Sequence, residues 1–178
     1  MIEKSSLRNR LLKERLQIPP AARELAEKKI SIDLKQILES QKGPLGFYWP
    51  VRGEFDPRQV VKDWLFLSNA NEACLPVIVE KNKPMIFREW IPEQPMIKGT
   101  FNIDVPHPKN RILIPNILLV PTLGFNQKNF RLGYGGGYYD RTIPQYKALT
   151  IGLCFEHGRS SEIMEEQHDI PLDLIIVG

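Results

Sequence analysis

The chain has 178 residues, of which 42% are hydrophobic and 25% charged, and it carries a formal net charge of +3. These values predict a single globular domain with a packed core and exclude an intrinsically disordered chain. The net charge is too small for a typical nucleic-acid binder, and no apolar run of 18 residues could span a membrane. The chain also lacks a signal-like start and has only two cysteines, Cys74 and Cys154. We therefore predict a cytoplasmic protein that binds neither nucleic acid nor membrane.

Two amphipathic helices are predicted at the beginning of the chain. The first ends at Pro19 and Pro20, and its apolar residues recur at the spacing of one helix face. Its predicted core residues are Leu7, Leu11, Leu12 and Leu16. The second helix runs to about Leu38, with a predicted apolar stripe of Ala22, Ala26, Ile30, Leu34 and Ile37. Each helix thus presents one face to a core.

A strand, a third helix and two further strands are predicted next. Residues 44–50 read as a short buried strand between prolines, and Asp56 followed by Pro57 is a favourable helix start. The residues that this helix buries are predicted to be Val60, Val61, Trp64 and Leu65. Strand-like runs then cover residues 74–79 and 84–90.

The second half of the chain continues this alternation. Residues 92–115 are rich in proline and predict a functional loop region with a short hairpin inside it, and residues 116–120 form an apolar run typical of a buried parallel strand. The last predicted elements are a helix at 138–143, a strand at 149–154, a capped helix beginning near Ser161 and a strand at 174–177. We therefore predict one α/β domain over residues 1–178, a three-layer sandwich with a mostly parallel central sheet.

The most informative segment runs from Arg131 to Arg141 and reads RLGYGGGYYDR. Its glycines, Gly133 and Gly135–Gly137, leave backbone N–H groups open to close approach by an anion. The two arginines add positive charge suited to phosphate, and Asp140 can hold a hydrated Mg²⁺. Neither the Walker A pattern nor the Rossmann fingerprint fits. A plain flexible turn is the alternative interpretation.

Residues 115–141, PNILLVPTLGFNQKNFRLGYGGGYYDR, closely resemble the signature of the 5-formyltetrahydrofolate cyclo-ligases, also called methenyltetrahydrofolate synthetases. The similarity extends to KSSLR at 4–8, YWPVRGE at 48–54 and HDIPLD at 168–173, so it covers nearly the whole chain. There are departures: Asn126 stands where the family often has aspartate, Asn129 stands where glycine is common, and residues 101–106 lack an acidic–proline pair.

The resemblance implies a sheet like those of the sugar isomerases and CoA transferases, and a monomeric enzyme that uses ATP and Mg²⁺. In the implied reaction, the formyl oxygen on N5 of 5-formyltetrahydrofolate takes the γ-phosphoryl group of ATP. N10 then attacks the activated carbon, and phosphate leaves to give 5,10-methenyltetrahydrofolate beside ADP. Such a phosphoryl transfer needs two aligned substrates and neutralised charge on the transferring group.

The resemblance also implies which residues form the site. The implied catalytic residues are Lys4, Arg131 and Tyr138. The implied ATP-binding residues are Lys4, Ser5, Ser6, Leu7, Arg8, Arg131, Leu132, Gly133, Tyr134, Gly135, Gly136, Gly137, Tyr138 and Tyr139. The implied folate-binding residues are Trp49, Glu54, Tyr134, Gly135, Gly136, Gly137 and Tyr138. Asp140 and Asp169 are the implied metal ligands, and Asp173 stays outside the site.

Other interpretations stay open at the level of sequence. Trp49 could pack in the core, Glu54 could lie on a surface loop, and Asp169 could form a turn before proline. Lys4 and Arg8 share a helix face, yet cations on an amphipathic helix are often simply solvated. The alternative function is a non-catalytic folate- or nucleotide-binding protein. An RNA-associated protein is disfavoured because no aromatic RNA-stacking motif is present.

Overall fold

Helices and strands alternate along the chain in the computed structural model, which describes residues 3–178. The helices are α1 (Lys4–Leu16), α2 (Pro20–Glu39), α3 (Arg58–Phe66) and α4 (Tyr138–Thr142). The strands are β1 (Pro44–Gly46), β2 (Glu72–Val77), β3 (Ile86–Glu89), β4 (Ile97–Lys98), β5 (Asp104–Val105), β6 (Ile117–Pro121), β7 (Gly124–Phe125), β8 (Arg131–Leu132), β9 (Leu149–Cys154) and β10 (Leu174–Val177). Short 3₁₀ turns cover Thr100–Asn102, Ile143–Gln145 and Glu156–Gly158.

Six of these strands form the central sheet in the order β10-β9-β6-β1-β2-β3. Every neighbouring pair is parallel except β2 and β3, which are antiparallel at one edge. The hairpin predicted within residues 92–115 exists as β4 and β5, and β7 and β8 form a second small hairpin. The predicted α/β class with a mostly parallel central sheet is therefore confirmed.

Both faces of the sheet are buried, as the apolar run of β6 predicts. Ile117 and Leu119 pack on the side of α2 and α3, whereas Leu118 and Val120 pack on the opposite side. That second side is covered by α4, the following 3₁₀ turn and the loop that carries Leu172. The result is a three-layer arrangement whose second outer layer is mostly irregular chain.

The apolar stripe of α1 is only partly the predicted one. Leu7 and Leu11 pack against the β7–β8 hairpin and Ile163, but Leu16 is 62% exposed. The next buried position on the same face is Arg15, which is 1% exposed. The prediction of Leu16 as a core residue was wrong because the side-chain row continues at i+4, from Leu11 to Arg15.

Three other local predictions need correction. Residues 161–172 contain no helix, and Ser160 makes only a local turn by accepting the Glu162 backbone N–H at 3.2 Å. Asp56 does accept the Arg58 N–H at 3.0 Å, but Pro57 occupies the cap position and not the first helical turn. In α2 the apolar stripe begins later than predicted, because Ala22 is exposed. Within the described residues, no helix is both long enough and apolar enough to cross a membrane.

The sheet topology marks one position for a ligand. From β1 the chain moves through α3 to β2 on one side, and from β6 it moves through α4 to β9 on the other side. β1 and β6 are neighbours, so the direction of winding reverses between them. In open α/β sheets, ligands bind in the crevice outside the carboxyl ends of the strands at such a reversal. The segments that follow β1 and β6 are therefore the place to look for a site.

Candidate functional site

The glycine loop, residues 133–137, lies against α1. Arg8 donates from Nε to the Gly133 carbonyl at 2.9 Å, and its guanidinium lies within 3.4 Å of where a Cβ on Gly135 would be. Gly135 and Gly137 have φ values of +91° and +63°, so these two positions need glycine. The structure thus brings together Arg8 and the loop, both implied by the resemblance to bind ATP, although 125 residues separate Arg8 from Gly133.

Arg131 holds two segments beside this loop. Its side chain is 5% exposed and donates from Nη2 to Asp140 Oδ1 at 2.7 Å. From Nη1 it donates to the Ile170 carbonyl at 3.0 Å. The guanidinium also lies over the Tyr139 ring, at 5.9 Å from the ring centre. Arg131 is therefore a structural link between α4 and the segment that carries Asp169, in addition to its predicted role toward ATP.

Lys4 lies at the other end of the same charged surface. Its Nζ is 2.9 Å from Glu166 Oε1 and 3.1 Å from Asp169 Oδ2. Burial works to lower the pKa of Lys4, but the hydrogen bonds to the two carboxylates outweigh it and raise the pKa. Lys4 is thus charged and paired with Asp169, one of the two predicted metal ligands. Its pairing places it near the segment held by Arg131, and not directly on the glycine loop.

The two predicted metal ligands fit a hard cation such as Mg²⁺. Each is a carboxylate near the site, and within residues 3–178 each keeps one oxygen without a hydrogen-bond partner, Oδ2 of Asp140 and Oδ1 of Asp169. Oxygen ligands of this kind are what Mg²⁺ prefers. Arg131 contacts the Asp140 carboxylate directly, and it bonds the Ile170 carbonyl, in the residue that follows Asp169. Asp169 also lies within 4.8 Å of ligand atoms of Glu166 and His168.

Glu54 lies behind the loop, in the turn that follows β1. It is 8% exposed, so it is not a surface-loop residue, and its Oε2 accepts the Val51 N–H at 2.8 Å. Burial raises the pKa of Glu54 to about 6, although the Val51 N–H, Arg15 and the Tyr134 hydroxyl all act in the opposite direction. A carboxylate with a pKa shifted by burial in a crevice is typical of a functional group.

Arg23 holds the backbone beside Glu54. It donates from Nη2 to the Gly53 carbonyl at 2.8 Å and to the Glu54 carbonyl at 3.4 Å. The turn is tight, with φ of 49° at Arg52 and 69° at Gly53. Since α2 supplies this guanidinium, the position of Glu54 is set by packing against a helix and not by the turn alone.

Arg15 is a residue of the site that sequence reasoning missed. Its guanidinium is buried between α1 and the sheet, donating from Nη1 to the Tyr134 hydroxyl at 2.9 Å and from Nη2 to the Thr122 carbonyl at 2.7 Å. Thr122 directly follows β6, so Arg15 contacts the carboxyl end of a strand that borders the predicted ligand crevice. Its place on the buried face at i+4 from Leu11 was the only signal in the sequence.

Two aromatic residues outside the glycine loop, Trp49 and Phe101, have different surroundings. Trp49 is partly buried and packs against the main core, and the Arg58 guanidinium lies 4.5 Å from its ring centre. The two line one cleft of about 480 Å³ with Trp90 and Met96. Phe101 is 70% exposed and meets the Tyr138 ring edge-on at 6.2 Å. Trp49 thus fits both core packing and ligand contact, and the sequence offered no specific sign of Phe101.

Four further predicted site residues, and Asp173 outside the site, are located as follows. Leu7 and Leu132 are buried in the small core beneath the loop, so only their backbones can face a ligand. Ser5 and Ser6 are exposed on the first turn of α1. Asp173 accepts the N–H and the hydroxyl of Thr150, at 2.8 and 2.6 Å, and it stays outside the site as predicted.

The departures at Asn126 and Asn129 have a local explanation. Asn126 accepts the N–H groups of Lys128 and Phe130 and donates to the Ile163 carbonyl at 3.0 Å, a donor role that an aspartate cannot fill. Asn129 has φ of 62°, a left-handed conformation that asparagine tolerates better than most residues. The turn that leads to Arg131 is therefore well formed despite both departures.

Comparison with known proteins gives a consistent picture. A sequence model described as the 5-formyltetrahydrofolate cyclo-ligase family matches residues 1–178. The relatives include a 5-formyltetrahydrofolate cyclo-ligase of Haemophilus influenzae, 26% identical over 99% of this chain and 98% of the relative. Another is the protein of the same name in Mycoplasma genitalium, 28% identical over 99% of this chain and 98% of the relative.

Two solved structures are similar in fold. One is a 5,10-methenyltetrahydrofolate synthetase of Mycoplasma pneumoniae, with a TM-score of 0.78, 24% identity and 98% coverage of both chains. The other is the NMR structure of the Aquifex aeolicus 5,10-methenyltetrahydrofolate synthetase, with a TM-score of 0.82 and 24% identity, covering 99% of this chain and 90% of that one. At this level of identity, the agreement bears on the fold.

Proposed function

Since the chain belongs to the 5-formyltetrahydrofolate cyclo-ligase family, it converts 5-formyltetrahydrofolate to 5,10-methenyltetrahydrofolate in an ATP-dependent reaction, and we propose that this takes place in the crevice between the glycine loop and Glu54. The crevice lies where the sheet reverses its winding, which is where an α/β sheet binds its ligands. One side of it carries the charges of Lys4, Arg8 and Arg131, and the other holds one buried carboxylate.

In the proposed reaction the formyl oxygen on N5 attacks the γ-phosphorus of ATP, and ADP leaves. N10 then attacks the activated formyl carbon and loses its proton to phosphate or water, and the carbon–oxygen bond breaks to release inorganic phosphate and the closed ring. The formyl oxygen is a weak nucleophile, so the protein must hold it in line with the phosphate and neutralise the charge on the transferring group.

We assign the nucleotide to the side formed by α1 and the glycine loop. Lys4, Arg8 and Arg131 supply three positive charges there, and the glycine loop supplies backbone N–H groups without side chains in the way. Lys4 must exchange part of its pairing with Glu166 and Asp169 for a phosphate oxygen. The Tyr138 ring closes this side of the crevice, and the Arg141 guanidinium lies 5.2 Å from the centre of that ring.

Mg²⁺ would be held by Asp140 and Asp169, whose free oxygens are the ligand type it prefers. Bound there, it would neutralise phosphate charge during transfer. Arg131 holds Asp140 in one orientation and also fixes the backbone next to Asp169, so the same residue that faces the nucleotide positions both carboxylates.

We assign the pterin ring of the folate to Glu54. A carboxylate can accept two N–H groups from the flat ring, and Trp49 offers an aromatic surface near the same turn. The observation that carries the whole assignment is the burial of Glu54 at the carboxyl end of β1, because a carboxylate there needs a partner that compensates its desolvation.

The test follows the absorbance of the methenyl product on mixing the protein with 5-formyltetrahydrofolate, ATP and Mg²⁺. Glu54→Gln replaces one acceptor with a donor and leaves a folate N–H unpaired, so we expect the KM for folate to rise about tenfold or more while ATP binding without folate is unchanged. Asp140→Asn should instead raise the Mg²⁺ concentration needed for half-maximal rate, with folate binding preserved.

Two results would contradict this division of the crevice. One is a Glu54→Gln protein that loses affinity for ATP alone, and the other is an Asp140→Asn protein that loses affinity for folate alone. Asp33→Asn, at an exposed carboxylate paired with Lys29 on α2, is the matched control and should leave both KM values unchanged.

A further inference from the structure

We propose that Arg52 binds the phosphoryl group while it passes from ATP to the formyl oxygen, at the boundary between the nucleotide and folate sides of the crevice. This inference rests on the function proposed above and adds a catalytic residue to those of α1 and the glycine loop. Arg52 lies in the turn between β1 and Glu54, on the folate side of the crevice.

The Arg52 side chain reaches from its own turn to the glycine loop. Its guanidinium lies over the Tyr134 ring, 5.0 Å from the ring centre. The Tyr134 hydroxyl accepts a hydrogen bond from Arg15, which also donates to the carbonyl of Thr122, the residue directly after β6. The ring therefore extends from the loop to the carboxyl end of β6, and Arg52 lies over it. This is where the two sides of the crevice meet, and where a group transferred between the two substrates is held.

The charge of Arg52 is not compensated by a neighbouring side chain. Lys4 and Arg131 are each paired with a carboxylate, and Arg8 donates to a carbonyl. Within residues 3–178 the exposed Arg52 guanidinium forms neither an ion pair nor a hydrogen bond. Its five N–H groups are therefore available, and their planar arrangement matches the oxygens of a phosphoryl group. Arg52 can bind those oxygens without first giving up a partner.

The backbone at Arg52 has a conformation that arginine disfavours. Its φ is 49° and that of Gly53 is 69°, and the Glu54 N–H donates to the Val51 carbonyl at 3.0 Å. Positive φ at both central positions is the pattern of a type I′ turn, in which asparagine and glycine are strongly preferred. The turn by itself therefore gives no reason for an arginine. Backbone strain of this kind is typical of residues that contact a ligand.

The surroundings hold this turn in place before any substrate binds. Arg23 donates to the Gly53 carbonyl at 2.8 Å, and Glu54 Oε2 accepts the Val51 N–H at 2.8 Å. During transfer the bond from the γ-phosphorus to ADP breaks, its electron pair stays on ADP, and the bond to the formyl oxygen forms. Negative charge is then spread over the three remaining oxygens of the phosphoryl group. A guanidinium fixed beside them stabilises that charge without reorganisation.

The test uses Arg52→Asn, which removes the guanidinium and places in the turn a residue that its backbone prefers. We expect kcat to fall about 10- to 100-fold, because a charge-assisted contact in the transition state is lost. The KM for ATP and the KM for folate should each change less than about threefold, since the contact is made mainly during transfer. The melting temperature should be no lower than that of the wild type, a result that a purely structural role would not give.

Two further variants sharpen this test. Arg52→Lys keeps the charge but not the planar fork, so its kcat should lie between those of the wild type and Arg52→Asn. Arg159→Asn is the matched control, because Arg159 is also an exposed arginine over an aromatic ring, 4.9 Å from the centre of Phe125. It should keep the wild-type kcat.

Three results would overturn the proposal. An unchanged kcat in folded Arg52→Asn would remove Arg52 from the transfer step. A higher KM for folate with an unchanged kcat would instead assign Arg52 to the carboxylates of the folate tail. A lower melting temperature, with kcat recovered on cooling, would show that Arg52 only supports its turn. If Arg52→Asn does not fold, Arg52→Gly takes its place, because glycine adopts a positive φ freely.

The proposed function fails in a different way. A Glu54→Gln protein with an unchanged KM for folate would overturn the assignment of the folate side, whatever the kcat of the Arg52 variants. An Arg52→Asn protein with the wild-type kcat would overturn only the role of Arg52, because the wild type would still form the methenyl product.

Discussion

Lys4 and Glu54 are the two charged groups that define the ends of the crevice, and their surroundings differ in kind. Lys4 lies near the surface between Glu166 and Asp169, and the pairing raises its pKa. Glu54 has no direct ionic partner among the described residues, and burial raises its pKa to about 6. Charge on the nucleotide side is thus already compensated by neighbours, whereas on the folate side it is left for the ligand to compensate.

This difference suits the two substrates. A phosphate brings its own high charge, so the nucleotide side needs cations that can exchange partners at low cost in partly solvated surroundings. A pterin ring is flat and offers N–H groups, so the folate side needs a dry, rigid acceptor. Each variant below changes one side and checks whether the other side responds.

The largest effect is expected from Arg131→Ala, which removes a nearly buried ion pair. Removing one partner of such a pair lowers the free energy of unfolding by about 3–5 kcal/mol, because Asp140 loses its compensating charge. We expect this loss in the free energy of unfolding, measured with denaturant, together with a fall of about two decades in kcat/KM for ATP. Arg111→Ala, at an exposed arginine paired with Glu72 and Glu89, is the control and should lose little stability.

Lys4→Ala should give the next largest effect and should fall on ATP alone. Loss of one charge-assisted contact to phosphate is worth ~1.5–3 kcal/mol, or about one to two decades in kcat/KM for ATP. The KM for folate should be unchanged, as steady-state kinetics with each substrate varied will show. Lys13→Ala on the same helix is the matched control. An equal rise in both KM values would mean that the two sides are not separate.

Glu54→Gln should reveal the cost of the buried carboxylate when no ligand is bound. The folded pKa is raised from 4.5 to about 6, so the folded protein holds a proton that the unfolded chain has lost between these pH values. Wild-type stability therefore falls as the pH rises through this window, by about 2 kcal/mol in total. Glutamine does not titrate, so the variant should gain about that much relative to wild type between pH 4.5 and pH 7.

Denaturant unfolding of both proteins at several pH values measures this difference. A difference in unfolding free energy between the two proteins that does not vary with pH would show that Glu54 is ionised in the folded state without penalty. The nucleotide and folate sides would then not differ in how their charge is compensated.

The smallest effect concerns salt. Raising the ionic strength from about 0.05 to 0.5 M shortens the screening length roughly threefold, so interactions of partly exposed charges should weaken. We expect the rise in the KM for ATP with salt to be less steep in Lys4→Ala than in wild type, and to be unchanged in Glu54→Gln. Equal slopes in all three proteins would remove Lys4 from the phosphate contacts.

The amino-acid sequence by itself determined the class of fold and the family. The apolar run at 117–120 predicts a strand buried on both faces, and β6 is such a strand at the centre of the sheet. The glycine segment at 131–137, with its flanking arginine and aspartate, carries a pattern specific enough to indicate the cyclo-ligases, which the family match over residues 1–178 confirms. These features are local, because strand burial and loop backbone freedom depend on residues close together in the chain.

Only the tertiary structure decided how the charged residues of the site are used. Apart from its spacing from Leu11, nothing in the sequence distinguishes Arg15 from the other cations of α1, yet it is buried and bonded to Tyr134, which lies 119 positions away. The raised pKa of Glu54 and the link from Arg131 to the Ile170 carbonyl likewise depend on segments distant in sequence. Periodicity predicts which face of a helix is buried, but the partner that makes a buried charge tolerable is set by which loops the fold brings to that face.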